Sequence, residues 1–263
     1  MSYDKLFKLQ RAPHLISILI HDSDFLKFNH YPMTSLNTKN DLNLPTYTDI
    51  EHYKLFRQAG QKLCDELAKK FLSKSVLKEC GKKLGIFKNN MMVFDSEDAM
   101  SVLFDYCLHQ FYVNKLSIAE RYLRISPPDS NSIEYEILQS MLKAHYSIFI
   151  AKKVFENKGV LFLDVLHNKK VFVIDLGLSK TAEPGVVFAG HLLPLKTFYA
   201  TSGGWLPIPT KQLLDEQIIP TIDKFLNGQF GSLSKAYEAS FSAQIIRILL
   251  KSNVWDNFGY DNS

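Results

Sequence analysis

The amino-acid sequence predicts an α+β protein: a helical N-terminal part, a small five-stranded antiparallel β module resembling a barrel, and C-terminal helices. Residues 46–85 carry apolar side chains at the helical period. From Tyr146 onward the period changes, and apolar runs rich in aromatic and branched residues alternate with short polar turns. The helical pattern returns after Pro209. We therefore expect a mainly helical region over 1–145, a β module over 146–209 and helices over 210–263 that pack on the rest, with a single domain as the alternative.

Each predicted helix has recognisable start or stop signals. In residues 46–85, Thr48 and Glu51 have the spacing of a capping box, which predicts the start of a helix. A break near residues 73–75 divides the segment into two helices, and Gly81 or Gly85 is expected to end the second. The stretch FDSEDAMSVLFDYCLHQFYV predicts a helix capped by Asp95 or Ser96. Shorter helices follow in SIAERYLRIS and IEYEILQSMLKAHY, and two more in TKQLLDEQIIPTIDKFL and SKAYEASFSAQIIRILLKS.

The predicted strands follow one another closely. YSIFIAKKVF, VLFLDVL and VFVIDLGL are separated by ENKG and HNKK, and VVFAGHLL and TFYAT follow, with SGG leading into WLPI as a return. This number of strands is typical of a small antiparallel barrel. Because the strands are apolar on both faces, helices are expected to cover part of the outside.

Composition excludes several classes of protein. The 263 residues are 46% hydrophobic and 22% charged, which is ordinary globular usage. Three cysteines without motif spacing favour a reducing compartment and argue against a disulfide framework or a zinc knuckle. The apolar run LISILI at 15–20 is too short for a signal peptide or a membrane span, so we expect a cytoplasmic protein without membrane insertion. No phosphate-loop, dinucleotide-binding, GxSxG or HExxH motif is present, and we expect no cofactor and no metal site.

Positive charge is concentrated in residues 54–88, which hold ten lysines and arginines against three acidic residues. Such a basic helical face suits an anionic partner, either nucleic acid or an acidic protein, and Lys69, Lys70, Lys82 and Lys83 are the candidate contacts. The alternative is a solvated helix face without a partner. The leading hypothesis is a non-catalytic binding protein that uses this face.

The rival hypothesis is an enzyme built around Asp164, Asp175 and His191. If the HNKK turn pairs Leu166 with Val171, the two carboxylates become diagonal neighbours roughly 7–8 Å apart at the backbone. Two such carboxylates could bind a divalent cation or divide acid and base roles. The alternative is that each aspartate caps a turn or accepts from a backbone amide, and that His191 is a hydrogen-bonded core group.

Asp105 and His109 are spaced i, i+4 and share one face of a predicted helix. A carboxylate and an imidazole in this arrangement could supply two ligands to a metal ion. A buried hydrogen bond between them, or two unrelated polar positions, is the alternative.

The segment LQSMLKAHYSIFIAKKVFENKGVLFLDVLHNKKVFVIDLGLSKTAEPGVVFAGHLLP has a distinctive order: a helix, YSIF, a turn with glycine, D-V-L, V-I-D and PGVVFAGHLLP. Over residues 140–205 it resembles a poorly characterised group of bacterial proteins in which helices lead into a small β module. Some members carry a SecA-type cysteine-rich zinc motif, which this sequence lacks, so no zinc role carries over. The resemblance implies the architecture and no particular activity.

Overall fold

The computed structural model describes residues 44–94, 97–227 and 234–252, and the predictions for the LISILI run and for a helix cap at Asp95 or Ser96 lie outside these ranges. The α+β fold class is confirmed. The N-terminal helices are α1 (Tyr47–Phe71), α2 (Lys74–Leu84), α3 (Glu97–Gln110), α4 (Ile118–Ile125) and α5 (Ile133–Lys143). A short hairpin of β1 (Phe87–Lys88) and β2 (Met91–Met92) connects α2 to α3.

The central sheet comprises the strands β3 (His145–Phe155), β4 (Gly159–Asp164), β5 (Lys169–Ile174), β6 (Val187–Pro194), β7 (Tyr199–Thr201) and β8 (Leu206–Pro207). The short helix α6 (Leu178–Thr181) links β5 to β6. After the sheet come α7 (Lys211–Leu213), a π-helical turn (Leu214–Ile218), α8 (Ile219–Asn227) and α9 (Lys235–Lys251).

The strands close into a barrel. The spatial order is β3-β4-β5-β7-β6, and β6 pairs again with β3, so five strands form the ring among the described residues, while β8 adds to β6. The pairs are antiparallel except β5–β7, in which Val173 lies opposite Tyr199 in a parallel register. An all-antiparallel ring needs an even number of strands, because direction reverses at every step. The prediction of a purely antiparallel module is therefore wrong in this one pair.

Local signals explain where α1 and α2 begin and end. Thr46 caps α1 and forms a capping box with Asp49, two residues before the predicted pair. Ser73 caps α2, which confirms the predicted break. Gly85 ends α2 at φ 77°, a left-handed conformation that costs glycine little. Gly81 lies inside α2 and is not a stop.

The π-helical turn lies where Pro220 interrupts a helical sequence. The Ile219 N–H donates to the Leu214 carbonyl, five residues back. Proline has no N–H and its ring clashes with the carbonyl four residues earlier, so widening of the preceding turn lets the helix continue.

Three apolar clusters hold the barrel and the helices together, and one of them joins α1, α3, α4 and α5 to the ring at Ile174, Leu193 and Ala200. Inside the ring, the core contains Phe149, Phe162, Phe188 and Trp205, and the Trp205 ring stacks on Phe149 with centroids 4.4 Å apart. The outward side chains of β3, β4 and β6 pack against residues of α2, α3, α8 and α9 in a second core. This arrangement matches the expectation that helices cover the outside of a sheet that is apolar on both faces. No helix within the described residues is long and apolar enough to cross a membrane.

Candidate functional site

Among the described residues, one group of potential metal-ligating side chains surrounds Asp164 at one end of the barrel. The Asp164 carboxylate is 1% exposed and lies 2.8 Å from His145 Nε2. His167 Nδ1 lies 3.1 and 3.0 Å from the two carboxylate oxygens, and the Ser147 hydroxyl donates to Oδ1. We call these four residues the Asp164 cluster.

The fold brings the Asp164 cluster together from three chain segments. Side chains on β3 alternate, and since Phe149 faces the barrel interior, His145 and Ser147 lie on that same face. Asp164 ends β4 directly opposite Phe149. His167 lies in the four-residue turn between β4 and β5, and its backbone N–H also donates to Asp164 Oδ1 at 3.3 Å.

Electrostatics in the cluster keep Asp164 ionised. Burial raises the pKa of Asp164, but hydrogen bonds from His145, His167 and Ser147 and the charge of His167 outweigh it, so this pKa lies well below its ordinary value. The hydrogen bond to Asp164 in turn raises the pKa of His167, against the opposing effect of its own burial. An anionic buried oxygen pair thus faces two imidazoles.

The predicted pairing of Asp164 with Asp175 is wrong. The β4–β5 register places Asp164 opposite Lys169, so the connecting turn has four residues and Leu166 does not pair with Val171. Asp175 follows β5 six residues beyond Lys169, which corresponds to about 20 Å along a strand. There Asp175 accepts from the Thr201 hydroxyl at 2.5 Å and from the first amide of α6 at 2.9 Å, which is the capping role named as the alternative.

His191 belongs to a different buried group, on the outer face of the barrel. Its Nδ1 lies 2.7 Å from Asp105 Oδ2 on α3, and its Nε2 lies 2.8 Å from the Gln110 side-chain nitrogen. The same Gln110 nitrogen lies 3.2 Å from Glu238 Oε1 on α9 and therefore donates to both. His191 thus bridges Asp105 and Gln110 through its two ring nitrogens.

His109 belongs to the same group, but it does not form the predicted pair of metal ligands with Asp105. Its ring stacks on His191 with centroids 4.6 Å apart, and its Nε2 lies 3.8 Å from Asp105 Oδ1, beyond hydrogen-bonding distance. Burial first, and then the neighbouring His191, lower the pKa of His109 to about 4, against the attraction of Asp105. Asp105 and His109 therefore take part in a buried polar network in which Asp105 binds His191.

A small cavity adjoins this network. Its volume is about 50 Å³, and its polar lining includes His109, Gln110, His191, Lys235 and Glu238. Pockets for organic ligands usually measure roughly 300–1,000 Å³, so this cavity suits molecules the size of water. The structure does not bring Asp164, Asp175 and His191 into one cleft.

The glycines of SGGW serve both turn geometry and close packing. Gly203 has φ 100°, and a Cβ on Gly204 would lie 2.5 Å from Asp105 Cβ. Next to them, Trp205 Nε1 donates to the His191 carbonyl at 2.7 Å. The turn therefore anchors the barrel core to the strand that carries His191.

The basic helices expose their cations to solvent. Lys74, Lys78 and Lys82 follow one line of α2 at intervals of four residues, and all three are exposed. Lys78 and Lys82 lie over the Phe87 ring of β1, with nitrogens 5.1 and 5.9 Å from its centroid. Within the described ranges, these three lysines form no ion pair.

The other predicted contact lysines have different surroundings. Lys69 and Lys70 are exposed in the last turn of α1, and Lys70 lies 5.0 Å from the Tyr122 ring centroid. Lys83 is exposed but pairs with Glu79 at 2.9 Å. The structure thus places the four lysines on two helices and shows Lys83 already engaged.

The fold is a small mixed barrel held by helices on its outer face, with one histidine–carboxylate cluster at its end and another on its flank. A family model described as a family of unknown function (DUF7986) matches residues 47–227, more than half of the chain. The chain belongs to this family, which confirms the resemblance to a poorly characterised family and extends it beyond residues 140–205. No curated protein and no solved structure matches the chain.

Sequence reasoning missed His145, Ser147 and His167. His167 follows Asp164 by three positions at the end of an apolar strand, a spacing that could have indicated a turn with two converging polar side chains. His145 is 19 residues from Asp164, and no local signal predicts their contact. Pairing of β3 with β4 creates it.

Proposed function

We propose that the protein is a cytoplasmic, non-catalytic binding protein that contacts an anionic partner through the exposed basic face of α1 and α2. The observation that carries this proposal is the line of Lys74, Lys78 and Lys82 along α2: none of the three forms an ion pair within the described residues, and the neighbouring Glu79 pairs with Lys83 instead. Cations that are not neutralised by ion pairs contribute fully to the attraction of an anionic molecule.

The aromatic ring under two of these lysines favours nucleic acid over an acidic protein. Phe87 is half-buried and carries Lys78 and Lys82 above its ring. Surfaces that bind single strands combine cations for the phosphates with aromatic rings on which bases stack. Lys69 and Lys70, at the end of α1, extend the positive charge of the same chain segment.

Fluorescence anisotropy with labelled single-stranded DNA, double-stranded DNA and RNA tests this proposal. We expect binding that weakens steeply as salt rises, because phosphate contacts release counterions. The triple variant Lys74→Glu, Lys78→Glu and Lys82→Glu should abolish it. A separate variant, Lys69→Glu with Lys70→Glu, should weaken it if the end of α1 takes part.

A matched control makes the same change in net charge elsewhere. Lys143, Lys158 and Lys180 are exposed and lie on α5, on the β3–β4 turn and on α6. Their triple change to Glu should leave binding nearly intact. Equal loss in both triple variants would mean that net charge alone drives association, and no binding at low salt would exclude nucleic acid and leave an acidic protein to be tested.

A further inference from the structure

The three potential ligand atoms of the Asp164 cluster converge from separate parts of the barrel. His145 Nε2, an Asp164 carboxylate oxygen and His167 Nδ1 all lie within 4.8 Å of one another. The side chains of His145 and His167 are 27% and 44% exposed, whereas that of Asp164 is 1% exposed. A buried anionic carboxylate therefore lies against two partly exposed imidazole rings.

We propose that His145, Asp164 and His167 form a binding site for a divalent transition-metal ion, with Zn²⁺ as the ion that these ligands suit best. Two imidazoles and one carboxylate are the ligands of catalytic zinc sites and of non-haem iron sites, whereas Mg²⁺ and Ca²⁺ prefer oxygen ligands alone. This inference does not depend on the proposed anionic partner of α1 and α2.

The distances suit an ion with small adjustments. Zinc binds histidine nitrogen and carboxylate oxygen at about 2.0–2.2 Å, so neighbouring ligand atoms around one ion are roughly 3–3.5 Å apart. His145 Nε2 lies 2.8 Å from Asp164 Oδ2, just below that range, and His167 Nδ1 lies 3.0 Å from the same oxygen, at its lower limit. A modest outward rotation of the two partly exposed rings would make room. Each ring would then give up its hydrogen bond to Asp164 and direct a lone pair at the ion.

The nearest lysine does not neutralise Asp164. Lys169 lies opposite Asp164 in the sheet, but its nitrogen donates to the Tyr199 hydroxyl at 2.6 Å and lies 5.0 Å from that ring's centroid. Within the part of the chain that the structure describes, Asp164 pairs with no lysine or arginine. Ser147 donates to Asp164 and holds the carboxylate in place, as outer-shell partners do in metal sites.

The solvent side of the site leaves room for further ligands. Three protein ligands do not complete a tetrahedral zinc shell, so water or an exogenous ligand would occupy a fourth position. The partial exposure of His145 and His167 provides the route by which the ion and that ligand would arrive.

Isothermal titration of the metal-free full chain with Zn²⁺, and visible absorption after addition of Co²⁺, test the proposal. We expect one ion per chain and d–d bands from Co²⁺. Loss of an outer-shell partner weakens metal affinity roughly 10–100-fold, and Ser147→Ala should weaken Zn²⁺ binding by a factor in that range. Asp164→Asn and His167→Gln each remove a ligand and should weaken Zn²⁺ binding by more.

His52→Gln is the matched control, because His52 Nε2 also contacts a carboxylate, Glu136 at 3.0 Å, with a similar exposure of 31% but without a second histidine. This variant should bind Zn²⁺ like the wild type. Circular dichroism of each variant establishes that the barrel is folded before titration. The proposal is overturned if the wild type does not bind Zn²⁺, or if Asp164→Asn or His167→Gln retains the wild-type affinity. It is also overturned if His52→Gln loses as much Zn²⁺ affinity as those two variants. Co²⁺–thiolate absorption would assign the ion to cysteines and would overturn it as well.

Discussion

Buried His109 makes the stability of the fold sensitive to acid. Its side chain is 7% exposed, stacks on His191 and lies 3.8 Å from Asp105. Burial and His191 lower its pKa to about 4, whereas an unfolded histidine titrates near 6.5. Between these two pH values the unfolded chain binds a proton that the folded chain does not.

The sign and the size of the effect follow from this difference. Because the folded pKa is the lower one, the contribution of His109 is complete above pH 6.5 and is lost as the pH falls toward 4. Each pH unit in this window costs about 1.4 kcal/mol, so the free energy of unfolding should fall by about 3 kcal/mol across it. For a domain of ordinary stability, a few kcal/mol is a large fraction of the total free energy of unfolding.

Urea denaturation at pH 7.5 and at pH 4.5, for the wild type and His109→Gln, measures the contribution. Replacement removes the titrating ring. Between the two pH values, the free energy of unfolding of the variant should therefore fall by about 2–3 kcal/mol less than that of the wild type. An identical loss in wild type and His109→Gln would refute the assignment of the acid sensitivity to this ring.

Three further substitutions test packing and capping. Gly190→Ala places a Cβ 2.2 Å from the Trp205 ring and should destabilise the barrel by about 1–3 kcal/mol in chemical denaturation, with a change in tryptophan fluorescence. Gly60→Ala is its counterpart: the nearest atom to the added Cβ is 4.0 Å away, so in the middle of α1 it should stabilise by roughly 0.5–1 kcal/mol. Asp175→Ala removes the acceptor for the Thr201 hydroxyl and for the α6 amide, and should cost about 1–3 kcal/mol in thermal or urea unfolding. An unchanged stability in Asp175→Ala would mean that water replaces both bonds.

Much of the fold follows from local sequence, because periodicity, caps and breakers act over a few residues. Ser73 and Gly85 mark helix boundaries by their own chemistry, and the apolar strands are recognisable without any partner. Strand register depends on turn geometry instead. The expected turn was HNKK, but the structure places the four-residue turn two residues earlier, at 165–168, and this shift moved Asp164 from a partner of Val173 to a partner of Lys169.

The candidate sites were harder to predict because ring closure creates them. His145 reaches Asp164 through the pairing of β3 with β4, which is interrupted by a bulge at Lys152. His191 meets Asp105 because α3 packs on the outside of β6, 86 residues away in sequence. Contacts of this kind arise from topology, and the residue types alone carry no signal for them.

The parallel step in the ring gives the three-residue strand β7 an importance out of proportion to its length. β7 pairs with β5 on one side and with β6 on the other, so it alone joins those two strands. Loss of Tyr199–Thr201 from the ring would expose the backbone of Val173 and Ile174 in β5 and of residues 192–194 in β6 at once. Unpaired strand edges recruit other chains, so opening of the ring at β7 would create a template for aggregation.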